Sequence, residues 1–320
     1  FTSSNKKPDP VDSKSKRPAL HPVGKQSHAK AKSRLKKNKD ALSWLQDVRG
    51  FSVEAIEHFG LGLSDPYKNK ETGQVVTEDV LSAPVLWHDG SFKGKYINYV
   101  IPGVTIDNRV GKKPKAWSPG KGARCYYSGV AEGKTRLFIC DGAKDLWALW
   151  QLIQGTPLAD TLLLVTSTNG GGSFPDEWKN PDYWDRWERV YLGHDNDKPN
   201  ENGVRAGEAH AQKLAQIAPR EMLRMRPPVE PPVEKDWNDW TIAGGTADEF
   251  AALLKGAEVL VPEDRTTKPK EEDDLVSEGR YPYAPVPISG AYHNGRLYHT
   301  ATTYVRGYEY VEDELGNTVK

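Results

Sequence analysis

The chain has 320 residues, 37% of them apolar and 28% charged, a normal balance for a soluble globular chain and enough length for one large or two modest domains. No run approaches the roughly 18–20 apolar residues of a spanning helix, and no charged-then-apolar leader opens the sequence, so no membrane partner is expected. The two cysteines, Cys125 and Cys140, exclude a disulfide framework and a structural zinc cluster, which makes a reducing, cytoplasmic compartment the expectation.

The start at Phe1 rather than Met is expected of a fragment or processed product. The 44 basic and 44 acidic residues cancel, yet they are unevenly placed. Residues 1–40 hold twelve Lys or Arg against Asp9, Asp12 and Asp40, a surplus of +9, and the remainder carries −9. A basic arm on an acidic body suits a polyanion-binding tail beside a site that needs carboxylates.

Residues 1–39 mix Lys, Ser, Pro and His without apolar periodicity and predict a disordered arm or linker. Both an inert solvated linker and sequence-blind contact with phosphate backbones stay open for it. Residues 40–130 then form a first expected domain, a small basic α+β unit. Asp40 to Val48 reads as a short amphipathic helix closed by Arg49-Gly50, and Ser52 caps a second, Val53 to Phe59, which ends at Gly60. Val85-Leu86-Trp87 and Lys95 to Pro102 read as strands, followed by a Gly/Pro/Lys-rich loop from Gly111 to Gly122.

Residues 131–261 alternate apolar strands with helices. The strands are Arg136 to Cys140, Thr161 to Val165, Arg189 to Gly193 and Met222 to Met225. The helices run from Ala143 to about Gln154, from Gly203 to Ile217, and onward from Thr246, where Glu249 completes a capping box. This order predicts an α/β domain with a parallel sheet flanked by helices. Residues 262–280 read as a charged linker. Residues 281–320 read as the strand-rich start of a further domain, with a turn in Tyr292 to Tyr298.

Such sheets bind ligands at the carboxyl ends of their strands. One strand ends in Cys140-Asp141-Gly142-Ala143-Lys144-Asp145, another in Gly193-His194-Asp195-Asn196-Asp197. Converging carboxylates without Cys or His partners suit Mg²⁺ or Mn²⁺, which stabilise displacement at phosphorus. The bland reading is that these acids are solvated or cap the following helices. Asp236, Asn238 and Asp239, in Lys235-Asp-Trp-Asn-Asp239, either bond loop backbone or support the acids. Trp237 and Trp240 read as core anchors rather than stacking platforms, and Trp178, Trp184 and Trp187 as packing.

Asp141-Gly-Ala-Lys-Asp145, Gly193-His-Asp-Asn-Asp197 and Lys235-Asp-Trp-Asn-Asp239 resemble the three signature segments of the TOPRIM domain in DnaG-type primases and phage or plasmid primase–helicases. Arg49-Gly50-Phe51-Ser52 and Phe59-Gly60-Leu61-Gly62 resemble the opening of their polymerase core. Val100 to Pro102, Asn108 to Val110 and Lys115 to Gly120 resemble its basic subdomain. The resemblance spans about residues 40–258. It implies a TOPRIM-type sheet preceded by a smaller α+β subdomain, and synthesis of short RNA primers on single-stranded DNA from ribonucleoside triphosphates. It further implies Asp141, Asp195 and Asp197 as metal-binding catalytic acids with Asp145 in support, and Arg109, Lys112, Lys113, Lys115 and Lys144 as nucleotide or template contacts. Where the family carries Glu, this chain has Asp141, and Lys198 to Gly203 lengthens the loop after Asp197.

The competing readings are a TOPRIM nuclease or strand-passing enzyme, and a degenerate primase core acting as a DNA-loading module. No Walker loop occurs, so a helicase partner is expected downstream of Lys320 or on another chain.

Overall fold

A computed structural model describes residues 24–261 apart from 112, 120–121, 171 and 230–235, together with four two-residue strands beyond them. The chain divides into two compact units, 1–263 and 264–320.

The first unit opens with helix α1 (Lys25–Lys37), which corrects the expectation of a disordered arm for that stretch. Its basic side chains have counter-charges far along the chain. Lys32 and Lys36 pair with Glu57, Lys30 with Asp65, and Arg34 donates to Asp79 at 2.7 Å. Leu35 is buried, and a Cβ at Gly62 would lie 2.6 Å from the Ala31 carbonyl carbon, so only glycine lets the helix this close. Composition alone cannot show partners that lie on later elements. Residues 1–23 of the expected arm fall outside the described residues.

Asn38 accepts from the Ala41 amide to cap α2 (Lys39–Ser43), which continues through a wider turn at Trp44–Val48. Ser52 caps α3 (Val53–His58) by accepting from the Ala55 amide, and Gly60 ends the turn at φ 60°. Seven strands follow: β1 (Gly62–Leu63), β2 (Tyr67–Lys68), β3 (Val75–Glu78), β4 (Leu81–Leu86), β5 (Phe92–Tyr99), β6 (Ile106–Asp107) and β7 (Ala116–Trp117). They form an antiparallel four-stranded sheet, β1-β4-β5-β7, and a three-stranded one, β2-β3-β6.

The second half carries β8 (Cys125–Tyr127), β9 (Arg136–Cys140), α4 (Ala143–Ile153), α5 (Pro157–Thr161) and β10 (Leu162–Ser167). After these come α6 (Pro181–Asp185), β11 (Arg189–Gly193), α7 (Ala206–Ile217), β12 (Met222–Met225), α8 (Trp237–Ile242), α9 (Ala247–Lys255) and β13 (Glu258–Leu260). The sheet order is β13-β12-β11-β9-β10-β8. The four inner strands are parallel, as their continuous apolar runs predict. The edges β8 and β13 are antiparallel additions, too short to show a pattern. Thr246 and Glu249 cap α9 reciprocally, as expected.

One face of this sheet buries Phe138, Trp147, Trp237 and Phe250 in a core shared with the N-terminal elements. The other buries Trp178, Trp184, Trp187 and Leu214. The Trp residues read as packing are thus packing residues. No helix among the described residues is long and apolar enough to cross a membrane. In the second unit, Tyr292–His293 pairs with Arg296–Leu297 at the expected turn, and Val311–Glu312 pairs with Thr318–Val319. The linker expected at 262–280 lies outside the described residues.

Candidate active site

The carboxyl ends of β9 and β11 lie side by side, because Cys140 registers with Gly193. A Cβ on Gly193 would fall 2.0 Å from Phe138 Cζ, so glycine is required for β11 to sit this close. Beyond this point Asp141 and Asp195 leave the two strands as neighbours. Gly142 then opens α4, and its amide donates to Asp145 Oδ2 at 3.2 Å in the first turn.

Asp145 is buried, and its Oδ1 accepts the Asn238 amide at 3.2 Å from α8. Asp236 caps that helix by accepting the Asp239 amide at 2.7 Å, and its Oδ2 faces Lys144 Nζ at 3.8 Å. Asn238 is fully buried and donates its side-chain amide to the Arg49 carbonyl at 2.9 Å. The third signature segment therefore does both things open to it: it caps its own helix and braces the first segment. Lys235 lies outside the described residues.

These acids share one electrostatic environment. Burial pushes the Asp145 carboxyl well above the usual range, and Asp236 and Asp195 push it further, while Lys144 opposes. Asp236 is likewise raised by burial, against Lys144 and Arg49. Burial raises the Cys140 thiol, and Asp145, Asp141 and Asp195 add to the effect, so all three act at the tip of β9. Asp197 lies two residues beyond Asp195, half-buried, its carbonyl bonded by Arg205, which also donates to Asn196 Oδ1 at 3.2 Å.

Around Asp141 stand groups that the sequence reading passed over. His210 of α7 places Nδ1 3.8 Å from Asp141 Oδ1. His194 is buried with its ring centroid 6.3 Å from that of His210, and burial holds its pKa below the ordinary value. Gly207, in the first turn of α7, is needed because a Cβ there would meet the Asp195 carbonyl oxygen at 2.4 Å. A glycine inside a helical pattern was the available signal.

The basic segment has a different character. Arg109 grips Asp107 with two bonds of 2.8 Å, donates to the Pro114 carbonyl at 3.0 Å, and stacks over Trp117 at 4.0 Å. That grip drops the Asp107 pKa to about 2. Lys113 Nζ donates to the Asp107 carbonyl at 3.0 Å, and Lys115 is exposed. Lys112 lies outside the described residues.

Among the described residues no three His, Cys, Asp or Glu side chains are placed to hold a metal ion between them. The donor chemistry still fits a hard divalent cation. The acids are carboxylates, and burial raises Asp145 and Asp236, a cost that a bound cation would offset. Such ions commonly take only one or two protein carboxylates, with water and phosphate completing the shell.

No family model matches the chain, and no curated protein does. Solved structures do. A DnaG catalytic core is 18% identical with a TM-score of 0.51, over 78% of this chain and 86% of that one. A DNA primase domain from Pseudomonas aeruginosa is 16% identical with a TM-score of 0.53, over 79% and 86%. A DnaG primase catalytic domain bound to single-stranded DNA is 16% identical with a TM-score of 0.50, over 78% and 84%. The six-stranded mixed sheet with its flanking helices therefore defines an α/β fold, and that fold is the one found in DnaG primase catalytic cores.

Proposed function

We propose that this chain is a primase polymerase core that joins ribonucleotides into short RNA primers on single-stranded DNA. The observation that carries the reading is the meeting of Asp141, Asp145, Asp195 and Asp236, with Lys144 beside them, at the carboxyl edge of the sheet in a primase-core fold. Strand ends of a parallel sheet are where such folds do chemistry.

Asp141, Asp195 and Asp197 are the residues that would hold a divalent ion, with Asp145 in support, and the ion would supply charge stabilisation at the reacting phosphorus. Asp145 is fixed by two backbone amides and positions the turn that carries Asp141. Lys144, whose Nζ lies 3.8 Å from Asp236 Oδ2, is assigned to a triphosphate. Arg109 shapes the loop through Asp107 and Trp117, so a phosphate contact of its own would require it to leave Asp107. Lys113, whose Nζ bonds the Asp107 carbonyl, and Lys115 are both exposed on the same loop and are assigned to template or nucleotide phosphates. In this reading residues 40–130 form the template-binding subdomain, residues 131–261 the catalytic one, and a helicase is the partner that supplies single strands.

The test is primer synthesis on mixed-sequence single-stranded DNA with labelled ribonucleotides, in Mg²⁺ and in Mn²⁺. Labelled oligomers from the intact chain and none from Asp195→Asn/Asp197→Asn are expected. Equal product from both proteins would overturn the assignment of the acids. No product from either, with DNA binding retained, would favour a loading module.

A further inference from the structure

We propose that His210 is a ligand, alongside Asp141, of the divalent ion at this site, giving it a mixed carboxylate–imidazole character that favours transition-metal ions such as Mn²⁺ over Mg²⁺. The inference deepens the polymerase reading and rests on it for the presence of an ion.

The geometry comes from α7. Gly207 lets the helix start against the Asp195 backbone, and one turn on His210 reaches the tip of β9. Its Nδ1 faces Asp141 Oδ1 at 3.8 Å. That gap is too long for a hydrogen bond, and this nitrogen, though buried, makes none. Adjacent donors each about 2.1 Å from an octahedral ion stand about 3 Å apart, so a side-chain shift of about 1 Å would bring this pair onto one ion. The far edge of the ring runs past Gly172, where a Cβ would stand 3.3 Å from Nε2. The imidazole thus presents Nδ1 to the acid. The His194 ring centroid lies 6.3 Å from that of His210, and its own Nδ1 is buried and without a hydrogen bond.

The chemistry then follows from donor type. Oxygen-only sites suit Mg²⁺, whereas imidazole nitrogen raises affinity for transition metals in the Irving–Williams order. A buried imidazole nitrogen with no proton partner is a costly feature unless something binds it.

The experiment is pulsed electron paramagnetic resonance of Mn²⁺ bound to the full chain with ¹⁵N-labelled histidine, read for nitrogen coupling. Directly bound imidazole nitrogen is expected in the unaltered protein. It should be lost in His210→Ala and in the more conservative His210→Gln, together with a fall in Mn²⁺ affinity of about tenfold or more. Mn²⁺ bound without nitrogen coupling, coupling that persists in both variants, or no Mn²⁺ binding at all would each overturn the proposal. The two readings fail separately. Nitrogen coupling without primer synthesis would refute the polymerase and leave His210 a ligand, and synthesis without coupling would do the reverse.

Discussion

The Asn238 amide donates to Asp145 Oδ1 at 3.2 Å, joining the first turn of α8 to the first turn of α4 across 93 residues of sequence. The same asparagine donates its side chain to the Arg49 carbonyl at 2.9 Å, so one buried residue ties three segments together. Asn238→Ala leaves the Arg49 carbonyl without that donor and should lower unfolding free energy by about 1–3 kcal/mol in urea titrations. Asn238→Asp should cost more than the alanine, since it sets a further carboxylate beside Asp145. An Asp variant as stable as the Ala variant would show that the acids do not share one buried field.

Protonation links the site to stability. The Asp145 carboxyl is raised by burial first and by Asp236 and Asp195 second. The folded chain therefore keeps a proton that the unfolded chain releases at ordinary carboxylate pH. In the window between the ordinary value and the raised one, stability falls as pH rises, and the cost persists above it. Asp145→Asn carries no charge to penalise. Its melting temperature should decline less than that of the unaltered protein between about pH 4 and pH 8, in buffers free of divalent ions. Parallel profiles would contradict the burial of a titrating acid at this position.

Docking of α1 depends on contact as much as on charge. Gly62→Ala would press a Cβ to 2.6 Å of the Ala31 backbone, which neither element can relieve by side-chain movement. Overpacking of this kind costs about 1–3 kcal/mol, enough to free the helix while the sheets stay folded. Hydrogen exchange should show protection lost across residues 25–37 and kept in β9 to β12. High salt alone should loosen α1 less than the substitution does, because exposed ion pairs such as Lys30–Asp65 contribute little each.

How much of this the amino-acid order carried depended on whether partners were local. Runs such as Leu137-Phe138-Ile139 and Leu163-Leu164-Val165 announce buried parallel strands by themselves, and Ser52, Thr246 and Glu249 announce their helix ends. The placing of Asp141 and Asp195 after strand ends of one sheet followed from the same order, whereas the direct pairing of those two strands did not. What stayed illegible was long-range. Helix α1 is held by Glu57, Asp65 and Asp79, and α7 is positioned by the close approach of Gly207 to Asp195. The commitment of Arg109 to Asp107, two residues away, lay within reach of sequence reasoning. Resemblance to a phosphate-contacting segment drew attention to the cation and away from the neighbouring acid that neutralises it.

That pairing gives a prediction that separates two roles for Arg109. The guanidinium holds both Asp107 oxygens and the Pro114 carbonyl while lying over Trp117, so it fixes the loop that presents Lys113 and Lys115. If this is its work, Arg109→Ala and Asp107→Ala should weaken single-stranded DNA binding alike, and the double variant should be no worse than either, the signature of two residues acting as one unit. Lys115→Ala should behave differently. It removes a phosphate contact, so the slope of log affinity against log salt should shrink by about 0.7, the value for one phosphate on a single strand. Titrations of fluorescent oligonucleotide over a range of salt concentrations read all four proteins at once. Should Arg109→Ala shrink the slope while Asp107→Ala strengthens binding, the arginine leaves its partner to grip phosphate directly. Asp107 would then be a competitor that the nucleic acid displaces.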